Sequence, residues 1–214
     1  MIIKYFEINK INLHLNKFIL FYGKNEGLKN QAINSLTIKN QILTYDENEI
    51  FDNSNNFIES ILSRSLFESG KTIIIKRATE KILKIIDELK TKNLEDIIII
   101  INANNLEKKS KLRSFFEKDK KLVCVPFYPD NDQTLSKLAY NFLRDKKISI
   151  SSSNINLIVN KCVGDRETLI NELRKIEYFC KNGKNINSEI ISKLINLNEN
   201  HSISELIDNC LAKN

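Results

Sequence analysis

The sequence of 214 residues contains few residues that interrupt regular structure, with only 5 Gly and 2 Pro, and it has no Trp. This scarcity argues against a linker-rich or disordered chain. The chain also lacks an apolar run of about 18 residues, the length needed to cross a bilayer, and residues 1–7 lack the apolar core of a signal peptide. The composition therefore predicts an ordered, helix-rich cytoplasmic protein of two modest domains, with no membrane contact.

Side chains that bind metals or form disulfides are sparse. The 4 cysteines are scattered and the 2 histidines lie near opposite ends of the chain: Cys124, Cys162, Cys180, Cys210, His14 and His201. No two cysteines have the two-residue spacing of a zinc site. We expect neither a metal site nor a disulfide framework, and we interpret the cysteines as buried, reduced thiols.

The formal net charge of +6 would suit a partner that carries phosphates. The lysines, however, are spread along the chain, and Lys, Ile and Asn are abundant together, as in proteins from AT-rich genomes. We favour base composition over a dedicated nucleic-acid patch as the source of this charge.

Short apolar runs alternate with helical patterns in the first part of the chain. The predicted strands are 18–22, 41–45, 72–75, 97–101 and 122–125, and the predicted helices are 28–38, 55–65, 80–90 and 108–118. The run 97–101 is all Ile, which indicates burial on both faces of a parallel sheet. The alternation predicts a doubly wound α/β domain with a mostly parallel, five-stranded sheet over residues 1–129.

Both prolines, Pro126 and Pro129, mark the end of this pattern. The helical patterns that follow cover 133–144, 153–162, 166–181 and 188–197, which predicts a small all-helical domain over residues 130–198. Residues 151–153 and Asp165 are predicted N-terminal caps, and Gly183 a helix stop. A further helix is predicted from His201.

The turn after the first predicted strand resembles a nucleotide-binding P-loop with altered residues. A P-loop has Gly, four residues, and then Gly-Lys-Ser/Thr, because its backbone and Lys hold phosphates and its hydroxyl binds Mg²⁺. Counting from Gly23 and passing Gly27, Lys29 is in register, but Leu28 replaces the second glycine and Asn30 the hydroxyl residue. The pattern predicts a degenerate P-loop that is not functional.

No catalytic carboxylate ends a neighbouring predicted strand. The strand 72–75 is followed by Lys76 and Arg77, and the strand 97–101 by Asn102, Ala103 and Asn104. Asn102 or Asn104 could be a polar sensor or only a turn former. Because ATP hydrolysis needs an acidic residue there, we assign no catalytic residue.

A second unusual segment, 63–71, contains Leu66 and Phe67 where a polar connection is expected. Two interpretations remain. These side chains could fold back over the sheet edge, or they could protrude as an anchor for a partner's pocket, where such residues contribute much of the binding free energy.

Three segments in this order resemble the delta subunit of bacterial DNA polymerase III, in the AAA+, P-loop NTPase-like superfamily. They are residues 21–23 with the altered P-loop, residues 65–67 before the third strand, and residues 163–176 with Gly164 and Asp165 at a helix start. The resemblance implies a RecA-like AAA+ domain and a helical lid that neither binds nor hydrolyses ATP, with no cofactor. It also implies that residues 199–214 resemble only the beginning of the family's helical collar domain.

The resemblance further implies a role in DNA replication within a clamp loader. The implied partners are the sliding clamp (beta subunit), the ATPase subunits tau/gamma, delta-prime, and primed DNA through the assembled complex. Leu66 and Phe67 match the wedge that binds and helps to open the clamp, with Arg64 and Ser65 as flanking contacts. Arg166 matches the position of a nucleotide sensor in AAA+ lids and is expected to be structural. The subunit itself would catalyse no reaction, although it belongs to a polymerase holoenzyme.

Two other functions are retained as alternatives. Lys29 could hold phosphate in a P-loop ATPase with an atypical nucleotide site, in which Asn30 substitutes for Ser/Thr. The positive charge could alternatively define a general nucleic-acid-binding protein.

Overall fold

The computed structural model describes residues 1–37, 41–63, 70–181, 183 and 186–195. The chain divides between Pro129 and Asp130 into two compact units. Buried apolar residues of the first unit form two clusters, and those of the second unit form a third. Across the described ranges, no helix combines the length and the apolar character that crossing a membrane would require.

A five-stranded sheet forms the centre of the first unit. Its strands are β1 (Phe18–Gly23), β2 (Gln41–Asp46), β3 (Lys71–Lys76), β4 (Ile97–Ala103) and β5 (Val123–Phe127). They lie in the order β2-β3-β4-β1-β5, and every neighbouring pair is parallel. The predicted α/β fold with a parallel five-stranded sheet is therefore confirmed.

The sheet is covered on both faces, which explains the unbroken run of isoleucines in β4. Ile97, Ile99 and Ile101 pack in one apolar cluster, whereas Ile98 and Ile100 pack in the other. Successive side chains of a strand point to opposite faces, so a strand buried on both sides contains apolar residues at every position.

Among the described residues of this unit, five α-helices accompany the strands: α1 (Glu26–Leu36), α2 (Glu47–Asp52), α3 (Ser54–Leu62), α4 (Leu83–Lys90) and α5 (Lys111–Lys118). The buried apolar side chains of α1 lie in the cluster on one face of the sheet, and those of α2 to α5 lie in the cluster on the other face. Short 3₁₀ helices occupy Tyr5–Lys10 and Glu80–Ile82. The sequence patterns did not predict α2 or the first 3₁₀ helix.

The N-terminus covers the outer edge of β5. Ile2 forms a parallel bridge with Cys124, and the Ile3 N–H donates to the Cys124 carbonyl at 3.0 Å. The terminal ammonium of Met1 donates to the Leu122 carbonyl at 2.6 Å. These bonds satisfy part of the backbone at one edge of the sheet.

Within its described residues, the second unit contains helices and no strand: α6 (Asp132–Asp145), α7 (Ser152–Lys161), α8 (Arg166–Lys181) and α9 (Ser188–Leu194). Ser151 caps α7 by accepting from the Asn154 N–H at 3.2 Å, and Asp165 accepts from the Glu167 N–H at 2.9 Å. Gly183, with φ of +70°, follows α8. The helix predicted from His201, and the rest of segment 199–214, lie outside the described residues.

Candidate functional site

The turn between β1 and α1 is shorter than a phosphate-wrapping loop. β1 ends at Gly23 and α1 begins at Glu26, so only Lys24 and Asn25 connect them. A P-loop runs from its first glycine to its Gly-Lys before the helix begins. In this chain, Gly27 and the residues on either side of it already belong to the first helical turn.

Backbone N–H groups in and just after this turn donate hydrogen bonds to other groups of the same chain. The Leu28 N–H donates to Asn25 Oδ1 at 3.0 Å, and the Lys29 N–H donates to the Asn25 carbonyl at 3.0 Å. Asn25 also donates from Nδ2 to the Tyr128 carbonyl at 3.1 Å, which joins the turn to the segment after β5. These are contacts of a capped helix.

Gly23 is required by its neighbours. Its φ is +128°, a conformation that favours glycine, and a Cβ at this position would lie 2.0 Å from the Phe127 carbonyl oxygen of β5. The close approach of β5 therefore accounts for this glycine.

Tyr22, the residue before Gly23, is buried, and burial raises the pKa of its phenol to about 12.

Lys29 is wholly buried, and its ammonium lies among three acceptors. Nζ donates to Asn102 Oδ1 at 2.9 Å and to the Ala103 carbonyl at 3.0 Å, and it lies 2.5 Å from Glu26 Oε1. An ammonium has three N–H donors, so the three acceptors match its capacity.

The fold explains how these groups meet. Glu26 and Lys29 are three residues apart on α1 and therefore share a helix face. Asn102 and Ala103 end β4, where they pair in register with Phe21 and Tyr22 of β1. Asn102 is on the same face of the sheet as Ile98 and Ile100, which is the face that α1 covers. Its amide thus reaches the ammonium of Lys29.

Asn30, in the position of the P-loop hydroxyl residue, is exposed. Gly27 is buried in the first turn of α1. Of the four predicted P-loop residues, Lys29 is the one with a charged side chain, and that side chain is buried at this edge of the sheet.

Carboxylates near the neighbouring strand ends are bound within the fold. Glu47, which begins α2 directly after β2, is buried and accepts from the Thr79 N–H and from Thr79 Oγ1, each at 2.7 Å. Arg77, after β3, has φ of +54° and forms an ion pair with Asp46. The sequence reasoning missed Glu47, although only Asp46 separates it from the predicted strand 41–45, which was a signal.

Arg166 is the first residue of α8 and pairs with Asp130. Its Nε lies 2.7 Å from Asp130 Oδ2, its Nη2 lies 3.2 Å from Oδ1, and both side chains are less than a tenth exposed. This bidentate pair joins Asp130, two residues before α6, to the start of α8 within the second unit.

The predicted clamp-contacting residues Arg64, Ser65, Leu66 and Phe67 lie outside the described residues. The described residues that flank them are close to each other, because Lys71 Nζ donates to the Ser63 carbonyl at 2.6 Å. Lys71 begins β3 and therefore lies at the amino edge of the parallel sheet. The first turn of α1, which contains Lys29, lies at the opposite, carboxyl edge.

Comparison with known proteins gives matches among solved structures. No protein-family model and no curated protein matches the sequence. The Bacillus subtilis DNA clamp loader delta protein (YqeN) matches with a TM-score of 0.57 and 13% identity, over 98% of this chain and 65% of that chain. The Holliday junction branch migration motor RuvB of Thermotoga maritima matches with a TM-score of 0.54 and 15% identity, over 87% and 66%. Domain III of the T. maritima replication initiation protein DnaA matches with a TM-score of 0.50 and 12% identity, over 89% of each chain.

These matches define the class of fold. The parallel five-stranded sheet with helices on both faces and a helical second unit is the RecA-like fold of AAA+ proteins. Among the matching structures, the clamp loader delta protein aligns over nearly the whole of this chain, so the resemblance predicted from the sequence is confirmed at the level of the fold. The chain spans just under two thirds of the length of that protein.

Proposed function

We propose that this chain is a clamp-loader delta subunit of DNA polymerase III. It binds the sliding clamp and helps to open it for loading on primed DNA, without ATP hydrolysis of its own. The observation that carries the proposal is the alignment of 98% of the chain with the clamp loader delta protein of B. subtilis.

Because RuvB and DnaA share the fold, a second observation is needed to choose between a motor and a non-hydrolysing subunit. The Lys29 ammonium lies among Glu26, Asn102 and Ala103, and it needs all three of its hydrogens for them. Lys76 ends β3 and Arg77 follows it, where an ATPase would need a carboxylate. Both observations favour the non-hydrolysing subunit over a P-loop ATPase.

The proposed partners follow from this role. The subunit would act in the cytoplasm with the tau/gamma ATPase subunits and delta-prime, and it would contact primed DNA through the assembled complex. The polymerase, and not this chain, would catalyse nucleotidyl transfer.

The proposed contact with the clamp is made by Leu66 and Phe67, with Arg64 and Ser65 beside them. Burying two such apolar side chains contributes about 3 to 6 kcal/mol before ordering costs. An apolar contact of this kind is weakly dependent on salt, whereas binding to nucleic acid through positive charge weakens steeply as salt rises.

The double substitution Leu66→Ala with Phe67→Ala tests the proposal. We expect the affinity for purified sliding clamp, measured by surface plasmon resonance, to fall by about 100-fold or more. The matched control is Phe6→Ala with Leu15→Ala, which removes the same two residue types from exposed positions of the first unit. Equal clamp affinities of the wild type and the Leu66/Phe67 variant would overturn the proposal.

Calorimetric titration with Mg-ATP tests the ATPase alternative. We expect no binding. Binding that is lost in Lys29→Ala, together with ATP turnover, would favour the alternative instead.

A further inference from the structure

Lys29 carries a positive charge in the interior of the protein, and neighbouring groups must compensate for this charge. Its side chain is wholly removed from solvent. A buried ammonium is strongly unfavourable unless an anion and hydrogen-bond acceptors replace its water. Of its three partners, Asn102 and the Ala103 carbonyl are neutral, so Glu26 supplies the negative charge.

The three partners differ in how they are held. Asn102 and Ala103 belong to β4, which lies between β1 and β3, and their acceptor atoms are positioned by the sheet. Glu26 lies on the first turn of α1, and its side chain is 53% exposed, whereas that of Lys29 is 0% exposed. The Glu26 carboxylate therefore contacts both the buried ammonium and solvent.

The position of Glu26 in the sequence adds to this argument. It is the third of the four variable residues between the two glycine positions of the P-loop pattern, the stretch that wraps phosphate in a working P-loop. A carboxylate there repels a phosphate group and attracts the lysine.

We propose that Glu26 is a built-in substitute for a phosphate group. Its carboxylate neutralises Lys29 and closes the anion position of this turn, and removal of its charge opens that position to inorganic phosphate or pyrophosphate. This inference is independent of clamp binding, because it concerns only groups of α1 and β4.

The variant Glu26→Gln tests the inference, because it keeps the size of the side chain and removes its charge. We expect the midpoint of thermal unfolding to fall by about 2 to 6 °C. Millimolar pyrophosphate should restore at least half of this loss, whereas sodium chloride at the same ionic strength should not. The control is Glu7→Gln, which removes the carboxylate of an exposed pair with Lys10 at the same three-residue spacing. It should leave the midpoint and the response to pyrophosphate as in the wild type.

A second pair of variants keeps the test decisive if Glu26→Gln does not fold. Lys29→Met removes the buried charge, so adding Glu26→Gln to it should change the midpoint by less than about 1 °C, with no response to pyrophosphate. The inference is overturned if Glu26→Gln is as stable as the wild type, if chloride restores it equally well, or if Glu26→Gln lowers the midpoint as much in the Lys29→Met protein as in the wild type. Clamp affinity, measured in parallel, should be unchanged in Glu26→Gln, so failure here and failure of the proposed function give different results.

Discussion

Two buried cations of this chain, Lys29 and Arg166, each lie against a carboxylate of the same unit. Glu26 pairs with Lys29, and Asp130 pairs with Arg166. Lys29 is in register with a P-loop lysine, and Arg166 matches a sensor position in AAA+ lids that was expected to be structural here; the pairing gives each of them a structural role. Burial requires this, since a charge without a partner in a protein interior costs several kcal/mol.

The Arg166 pair leads to a stability prediction. Asp130→Asn should lower the free energy of unfolding by about 3 to 5 kcal/mol, because it removes the negative charge that lies against the buried guanidinium of Arg166. Denaturant unfolding followed by circular dichroism measures this loss. The control is Asp145→Asn, since Asp145 pairs with Arg144 at 3.4 Å and both side chains are mostly exposed. We expect the control to change stability by less than about 0.5 kcal/mol, and an equally small change in Asp130→Asn would refute the prediction.

The described thiols should differ in reactivity. Burial raises the pKa of Cys124 to about 12 and that of Cys162 to about 11, and it raises the pKa of the half-buried Cys180 as well. At pH 8 both Cys124 and Cys162 are therefore almost entirely protonated, and the thiolate is the reactive form. We expect iodoacetamide to label Cys180 before Cys124 and Cys162 in the native protein, as peptide mapping by mass spectrometry would show. Equal labelling of Cys124 and Cys180 would contradict this order.

The sequence showed that Lys29 was in register with a P-loop lysine, but it could not show what Lys29 binds. Asn102 is 73 residues away, and only the pairing of β1 with β4 brings it to α1. Glu26 was nearby in sequence, yet its role depends on the burial of Lys29, which no local pattern reveals. Glu47 and Thr79 are also far apart in sequence, by 32 residues, and only the fold brings them within hydrogen-bonding distance.

Strands and long helices were easier to predict than short ones, for a physical reason. β4 was visible as five consecutive isoleucines because both faces of the sheet are covered, and α8 was predicted with the bounds that it has, Arg166–Lys181. α2 has only 6 residues and one buried apolar side chain, Ile50, so it has no periodicity to detect. The 3₁₀ helix Tyr5–Lys10 was missed for the same reason, since Ile8 is its only buried residue.

The contact between β1 and β5 gives a prediction about the turn. Gly23→Ala should lower the free energy of unfolding by about 2 to 5 kcal/mol, because it adds an unfavourable φ to an overlap with the Phe127 carbonyl oxygen. Gly164→Ala is the control, since Gly164 has φ of +77° but nothing within 4 Å of an added Cβ. We expect the control to cost about 1 to 2 kcal/mol, from backbone conformation alone. Chemical denaturation of both variants measures the difference, and equal losses would show that β5 yields to the added methyl group.

The two units of the molecule have separate apolar cores. The two apolar clusters on the faces of the sheet contain only residues up to Phe127, and the third cluster begins at Leu135. The Arg166–Asp130 pair also lies wholly in the second unit. No described residue of the second unit is a member of either sheet cluster.

A fragment of residues 1–129 should therefore fold without the rest of the chain. We expect a single cooperative thermal transition with an unfolding enthalpy of about 90 kcal/mol, which is the usual value per residue multiplied by 129. Differential scanning calorimetry measures this enthalpy. A fragment of residues 1–107 is the control. It lacks α5 and β5, so it loses Leu112 and Phe116 from one cluster and the neighbour of β1 from the sheet, and it should show no cooperative transition. If the fragment 1–129 also unfolds without cooperativity, then the sheet depends on the helical unit in spite of its separate core.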